Sequence, residues 1–306
     1  MIVSYNTRAL LLASVSSAIA SAAGTESDII VVDNASSDGS AEALSSAFPA
    51  VNVIHNAQNA GFGAACNQAI AVSKSDLILL LNSDAAISPV AFKELVHVME
   101  SEPCCGAAGC AIVNAEGQMA VNTRNFLTPF NQAFELSGLS KILRISSWTR
   151  TCHPKPDASG LDCSVDWIDG ACLMLRRAAL DEAGVFDEQF FIYSEDEDLC
   201  YRFRKRGWSV CYSARASVIH HGAASADQDR PINFRHFYES QILFIQKYLG
   251  PNAASRFIVA MRCALAFKRV TSLLLFRPTS KKNEIELRRS ALLAARSVLD
   301  RASHAG

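Results

Sequence analysis

Four consecutive acids, Glu195-Asp196-Glu197-Asp198, follow the aromatic run FDEQFFIYS and precede Arg202, Arg204, Lys205 and Arg206. Acids at a helix start and bases at its end complement the macrodipole, and Asp198 with Arg202 stands at pairing distance i,i+4. Four acids exceed what a cap requires. An Asp carboxylate, with an ordinary pKa near 3.9, is ionised at neutral pH and can serve as a general base. Asn82-Ser83-Asp84 closes the apolar run DLILLLN. A carboxylate on a rigid strand end suits Mg²⁺ or Mn²⁺, ions that take most of their shell from phosphate and water. A plain capping role is the other reading of Asp84. His220-His221 follow the apolar ASVI, and a neutral imidazole opposite Asp84 can complete such a site.

Asp33 ends DIIVVD and precedes the turn NASSDGS. Its carboxylate can accept the N3–H of a uracil or thymine ring on which Tyr5 can stack. An Asx-turn is the alternative. A dinucleotide site is disfavoured because SYNTRAL lacks the glycines of G-x-G-x-x-G. NAGFGAACN holds Asn59, Gly61, Gly63 and Asn67 ahead of a helix, a turn that lets backbone approach an anionic ligand.

The elements that must position these residues alternate. Ile2–Tyr5, 28–33, 51–55 and 76–82 read as strands, with helices at about 8–22, 40 onward, 64–72 and 89–100 between or after them. Strand–helix alternation with continuous apolar strands predicts an α/β fold with a parallel sheet covered on both faces. Ligands bind at the carboxyl ends of such strands, where Tyr5, Asp33 and Asp84 fall. The pattern is irregular over 116–165. It resumes with VDWIDGACLMLRR, a helix at about 196–206, two strands in WSVCYS and ASVIHH, a helix at about 232–249 and two helices in the tail.

The 306 residues are half apolar and 19% charged, which excludes a disordered chain. The net charge of −1 gives no sign of a nucleic-acid partner. From Ser255 onward, however, 11 basic residues face 3 acidic ones, a net of +8, which leaves −9 for the rest. Ten cysteines lie scattered in apolar runs without C-x-x-C, which reads as buried cytosolic thiols rather than disulfides or a zinc site. The N-terminal segment mimics a signal peptide, but free-thiol usage favours a strand and helix there. Arg262, Lys268 and Arg269 interrupt the apolar stretch 257–276; each costs about 2.5–3.5 kcal/mol near the centre of a spanning helix. That helix is instead expected to lie on an anionic membrane, its apolar face being Phe257, Ile258, Met261, Leu265, Leu274 and Leu275, or else to pack on protein.

Taken in order, IVSYNT, VVDNASSDGS, NAGFGAACN, LLLNSDA, DWIDGACLMLRR, FDEQFFIYSEDEDLCYR and VIHHGAAS resemble the family 2 glycosyltransferases, most nearly the bacterial rhamnosyltransferase-like ones. The resemblance covers about residues 1–250. It implies a GT-A fold, with a mostly parallel central sheet flanked by helices, a nucleotide-binding part at about 1–115, an acceptor-side part at about 116–250 and a basic helical tail at 251–306. It implies that Tyr5, Asp33, Asn59, Gly61 and Asn67 bind the nucleotide, and that Asp84 and His220 hold Mg²⁺ or Mn²⁺. Asp169, Gly170, Ala171 and Glu195 would border donor and acceptor, and Asp196 would be the base of an inverting displacement. A dTDP- or UDP-sugar would be the donor and a glycan or lipid-linked molecule the acceptor, in cell-surface polysaccharide synthesis on the inner face of the cytoplasmic membrane, with oligomers allowed. Two departures stand out: the family's DxD reads Asn82-Ser83-Asp84, and the chain starts at what should be the middle of the first strand, so that either this strand is short or the true start lies upstream. A related protein that binds nucleotide sugar without turnover is the alternative.

Overall fold

The computed structural model describes residues 1–140, 149–222, 229–274 and 279–296. They form two compact units. The described residues of Met1–Arg124, His153–Phe191 and Glu195–Ser225 make one, and those of Asn125–Cys152, Ile192–Ser194 and Ala226–Gly306 the other.

The first unit is built on one sheet. Its strands are β1 (Ile2–Ser4), β2 (Ile30–Asp33), β3 (Asn52–His55), β4 (Leu77–Asn82), β5 (Ala85–Ala86), β6 (Cys105–Val113), β7 (Met119–Ala120), β9 (Leu161–Asp162), β11 (Cys172–Arg176) and β12 (Ser209–His220). β8 (Thr123–Arg124) and β10 (Trp167–Ile168) form a separate ribbon. The main order is β3-β2-β1-β4-β11-β6-β12-β5. β1, β2, β3 and β4 are parallel, as are β6 and β12, while β11 runs antiparallel between β4 and β6. The sheet is therefore mixed and mostly parallel.

Successive strand residues point to opposite faces, so the continuous apolar runs fill two cores. One contains Ile2, Val31, Leu81 and Met174, packed with Leu11 and Val15 of α1 (Arg8–Ser21), Leu44 of α2 (Ser40–Ala47) and Leu95 of α4 (Pro89–Ser101). Leu80 and Leu173 point the other way. The helices α3 (Phe62–Val72), α6 (Arg177–Ala183) and α7 (Glu195–Lys205) bury Ala65, Cys66, Leu180, Leu199 and Phe203.

Two expectations are corrected. WSVCYS and ASVIHH form the single strand β12, whose pairing with β6 shifts between Ser213 and Ser217; the extra residues are absorbed as an irregularity instead of a turn. Cys163 and Cys211 form a disulfide, so these two cysteines are not free thiols. The cause is register: β9 pairs antiparallel with β12, Asp162 opposite Tyr212, which sets Cys163 across from Cys211. The tail, for which packing on protein was one of the two expectations, lies in the second unit.

That unit is helical, with α5 (Pro129–Ser137), α8 (Arg230–Leu249), α9 (Pro251–Leu274) and α10 (Thr279–Ala295). Thr128 and Asn131 close a capping box at the start of α5, with Pro129 in the first turn. α9 packs against α5, α8 and α10. The face expected to meet lipid, Phe257, Ile258, Met261 and Leu265, is buried inside this unit. The same apolar period serves lipid or protein, and neighbouring helices supply the cover. Leu274 and Leu275, the end of that face, and the expected break at Arg277-Pro278 lie outside the described side chains and residues. No described helix is long and apolar enough to cross a membrane.

Gly109 on β6 gives a direct test of the packing. A Cβ there would lie 2.8 Å from Cγ2 of the fully buried Ile168, whose branch point cannot swing aside. Gly109→Ala should lower unfolding free energy by about 1–3 kcal/mol, the usual cost of overpacking, read from urea midpoints. An unchanged midpoint would contradict this packing.

Candidate active site

At the carboxyl ends of β1 and β2, Ser4 pairs with Asp33, so Tyr5 follows the neighbouring strand end and is partly exposed. Asp33 is buried. Its Oδ2 accepts the Ser36 N–H at 3.1 Å, the turn-holding role, while its Oδ1 is buried without a partner. A buried carboxylate oxygen left unpaired is costly and suits an incoming N–H donor.

Asn34, which sequence reasoning passed over, organises the next loop. Its Nδ2 donates to Asn59 Oδ1 (2.8 Å) and to the Gly61 carbonyl (3.1 Å), and its Oδ1 accepts from Asn56 Nδ2 (2.9 Å) and the Ala60 N–H (3.0 Å). Its place directly after Asp33 was the available signal. Asn59 is therefore held in this network. Gly61 has φ of +91°, and a Cβ there would lie 2.6 Å from the Phe191 carbonyl, which accepts the Phe62 N–H at 2.8 Å. Asn67 donates to the Phe186 carbonyl and Glu188, each at 2.9 Å, and accepts the Phe186 N–H at 3.0 Å. Gly61 and Asn67, expected to bind the nucleotide, also fasten the 186–191 segment to α3.

The sheet brings the two expected metal ligands together. β5 pairs with the end of β12, Ala85 opposite His220, and His220 Nε2 lies 3.1 Å from Asp84 Oδ1. Asp84 is nearly buried, and Asn82 Oδ1 beside it on the chain is buried without a partner. One carboxylate oxygen and one imidazole nitrogen are donors of the kind that suit a divalent cation as two of its ligands. Among the described residues no larger cluster of His, Cys, Asp or Glu converges. Residues 223–225 of the VIHHGAAS stretch lie outside the described residues.

The expected base sits beside the start of β11. The Ala171 carbonyl accepts the Asn82 N–H at 2.9 Å, so the turn 169–171 meets the end of β4. From that turn the Gly170 N–H donates to Asp196 Oδ2 at 2.8 Å, and the Glu197 N–H donates to Oδ1 at 2.8 Å. Burial first, and then the Asp169 carboxylate, push the Asp196 pKa up to about 7, a value poised for a general base. Asp169 is paired with Arg124 at 3.2 Å.

Glu195 is placed differently from its neighbour. It is 5% exposed, lies near Gly63 and Cys66 of α3, and has an unpartnered Oε2. Burial and the adjacent Asp196 push its pKa well up. Glu195 is thus a buried acid between α7 and α3. Asp198 pairs with Arg202 at 2.8 Å, as the i,i+4 spacing suggested, and Arg202 also donates to the carbonyls of Ala183, Gly184 and Val185.

The chain is similar to known proteins in sequence and in fold. Residues 1–183 match the model of Glycosyl transferase family 2. The chain is 28% identical over 228 residues to the N-acetylglucosaminyl-diphospho-decaprenol L-rhamnosyltransferase of Mycobacterium tuberculosis, spanning 71% of this chain and 74% of the relative. It is 28% identical over 171 residues to Rhamnosyltransferase WbbL of Escherichia coli, spanning 53% and 61%. In fold it is similar to the mannosyltransferase PcManGT of Pyrobaculum calidifontis, solved with GDP-Man and Mn2+: TM-score 0.56, 14% identity, 97% of this chain and 84% of that one. The Staphylococcus aureus TarS 1-349 structure matches at TM-score 0.51 and 15% identity over 97% and 90%. With more than half its length matched and a mixed, mostly parallel GT-A sheet, the chain belongs to glycosyl transferase family 2 and is a glycosyltransferase.

Proposed function

We propose that this enzyme moves a hexose, rhamnose being the preferred candidate, from a dTDP- or UDP-sugar to a hydroxyl of a lipid-linked glycan, with inversion. The observation that carries the reading is the convergence at one end of the β2-β1-β4-β11 strands. There stand the unpaired Asp33 oxygen, the Asp84–His220 pair and an Asp196 carboxylate held by two backbone N–H groups. Rhamnosyl transfer to a lipid-linked acceptor is drawn from the mycobacterial relative's name.

In this reading Asp33 accepts the N3–H of the base and Tyr5 covers the ring. Asp84 and His220 hold a divalent cation, which when bound offsets the charge of the departing diphosphate. Asp196 takes the acceptor hydroxyl proton as that oxygen bonds to the anomeric carbon and the bond to diphosphate breaks. The Gly170 and Glu197 N–H groups keep its two oxygens fixed during attack, so no reorganisation is needed at that moment.

The acceptor's lipid brings the tail into play. With its buried face used internally, α9 still exposes Val259, Phe267 and Val270 among Arg256, Arg262 and Arg269. Apolar tips within a basic surface support shallow docking on an anionic leaflet, about 1 kcal/mol per basic residue near it. The full chain should sediment with anionic vesicles at low salt and be released by high salt. Sedimentation equal to that with neutral vesicles would remove the membrane from this reading.

Donor screening with dTDP- and UDP-sugars and a lipid-linked acceptor mixture tests the activity directly. Asp196→Asn should keep nucleotide binding and lose about 10²–10⁴-fold in rate. Because only ionised Asp196 accepts a proton, the wild-type rate should fall as pH drops below about 7 and level off above it. A fully active Asp196→Asn would overturn its role as base, and binding without turnover in wild type would favour the nucleotide-sugar-binding alternative.

Chelation should stop turnover and added Mg²⁺ or Mn²⁺ restore it. Asp84→Ala should weaken nucleoside diphosphate binding far more than nucleoside binding. Full rates in excess chelator would exclude the metal role of this pair.

A further inference from the structure

Arg124 belongs to none of the motifs discussed so far, yet it closes a chain of contacts that ends on Asp196. It stands on β8, whose pairing with β10 sets Arg124 opposite Trp167 and Thr123 opposite Ile168. Just beyond this ribbon, the Asp169 N–H donates to the Asn122 carbonyl at 2.8 Å. The guanidinium then meets the Asp169 carboxylate through both edges, Nε to Oδ1 at 3.3 Å and Nη2 to Oδ2 at 3.2 Å. The fork geometry of Arg matches a carboxylate in this way, and a lysine does not reproduce it. The next residue is Gly170, whose N–H holds Asp196 Oδ2.

We propose that Arg124 is a positioning residue for the base: by gripping Asp169 through two hydrogen bonds it fixes the 168–170 turn from which Gly170 holds Asp196, and it offsets the Asp169 charge beside that carboxylate. The inference rests on Asp196 being the base of the transfer reaction proposed above. Among the described residues, the charged and titratable groups felt by Asp196 include Asp169 from the turn, with Glu195, Glu197 and Cys200 from its own helix. The first three are acids, and Arg124 is the cation paired with the one that comes from a different element. Removing it acts twice in one direction. The Arg124 charge no longer offsets that of Asp169 beside Asp196, and the turn that presents the Gly170 N–H loses these two hydrogen bonds. Both raise the proton affinity of Asp196.

Arg124→Ala should therefore move the acid limb of the kcat profile up by about one pH unit, the low end of what a nearby charge produces. At pH 6 that is a loss of about tenfold in kcat, shrinking toward none at pH 9, with KM for the donor and nucleoside diphosphate affinity unchanged. Arg124→Lys, which keeps the charge without the fork, should shift the limb less. The same shift should be read without turnover. Carboxyl-carbon NMR of Asp-labelled protein, with the Asp196 signal assigned by its loss in Asp196→Asn, follows the titration directly. In that measurement Asp169→Asn should lower the Asp196 midpoint, and adding Arg124→Ala to it should raise that midpoint less than in the wild-type background. If wild type transfers no sugar, the proposed function fails while the NMR titration still decides the role of Arg124. A loss equal at every pH, with an unmoved Asp196 titration in both Arg124 variants, would overturn the proposal.

Discussion

The antiparallel strand β11, inserted between the parallel β4 and the β6–β12 pair, is the constraint on which the site depends. A parallel sheet collects strand carboxyl ends on one rim, and that rim alone would offer Tyr5, Asp33 and Asp84. Because β11 runs the other way, its leading turn arrives at the same rim, with Ala171 bonded to Asn82. Residues 169–171 are thereby delivered beside the end of β4. Through Gly170 the turn reaches Asp196, so a helix start from a distant part of the chain is tied to the rim by one backbone N–H. Reversing a single strand turns a one-sided rim into a site with a second wall.

The acidic start of α7 shows how a fold accommodates four adjacent carboxyl groups. Each ionised carboxylate removed from water needs a partner or a proton. Asp198 takes the Arg202 guanidinium, and Asp196 takes two backbone donors. Glu195, with no partner on its inner oxygen, is pushed toward the protonated form. Residues adjacent in sequence thus play different parts because helical rotation turns each toward a different neighbour. Macrodipole complementarity explains the composition of the helix but not this division of labour.

How much was legible in the sequence follows from which interactions are local. The runs at 30–33, 52–55 and 77–82, and the helices between them, were readable because apolar period and turn residues are set within a few positions. The positions of Asp33, Asp84 and Asp196 at element ends were readable for the same reason. Partner choice was not. The Cys163–Cys211 bond depends on the register of β9 against β12, 48 residues apart, and nothing in the spacing of ten cysteines encodes it. Arg124 escaped notice because its ribbon strand is two residues long and its partner lies 45 residues on. The apolar stripe of α9 was seen correctly as a stripe, but periodicity says which residues share a face and not what covers it.

The NAGFGAACN turn carries the same lesson into the site itself. Its glycines and asparagines have the composition of a ligand-cradling loop, yet Gly61 makes room for the Phe191 carbonyl and Asn67 bonds both backbone groups of Phe186. Gly63 lies against Phe186 and Glu195. The turn therefore joins the loop network around Asn34 and Asn59 to the segment leading toward the helix that carries Asp196. Small residues are required because two backbones meet there, and a side chain would hold them apart. Positional coupling between the two sides of the site then comes from packing along α3, which fixes the aromatic run FDEQFF on the helix whose first turn follows the NAGFG loop. The composition reads as ligand binding because close backbone approach demands glycine whether the approaching group is a phosphate or another stretch of the chain.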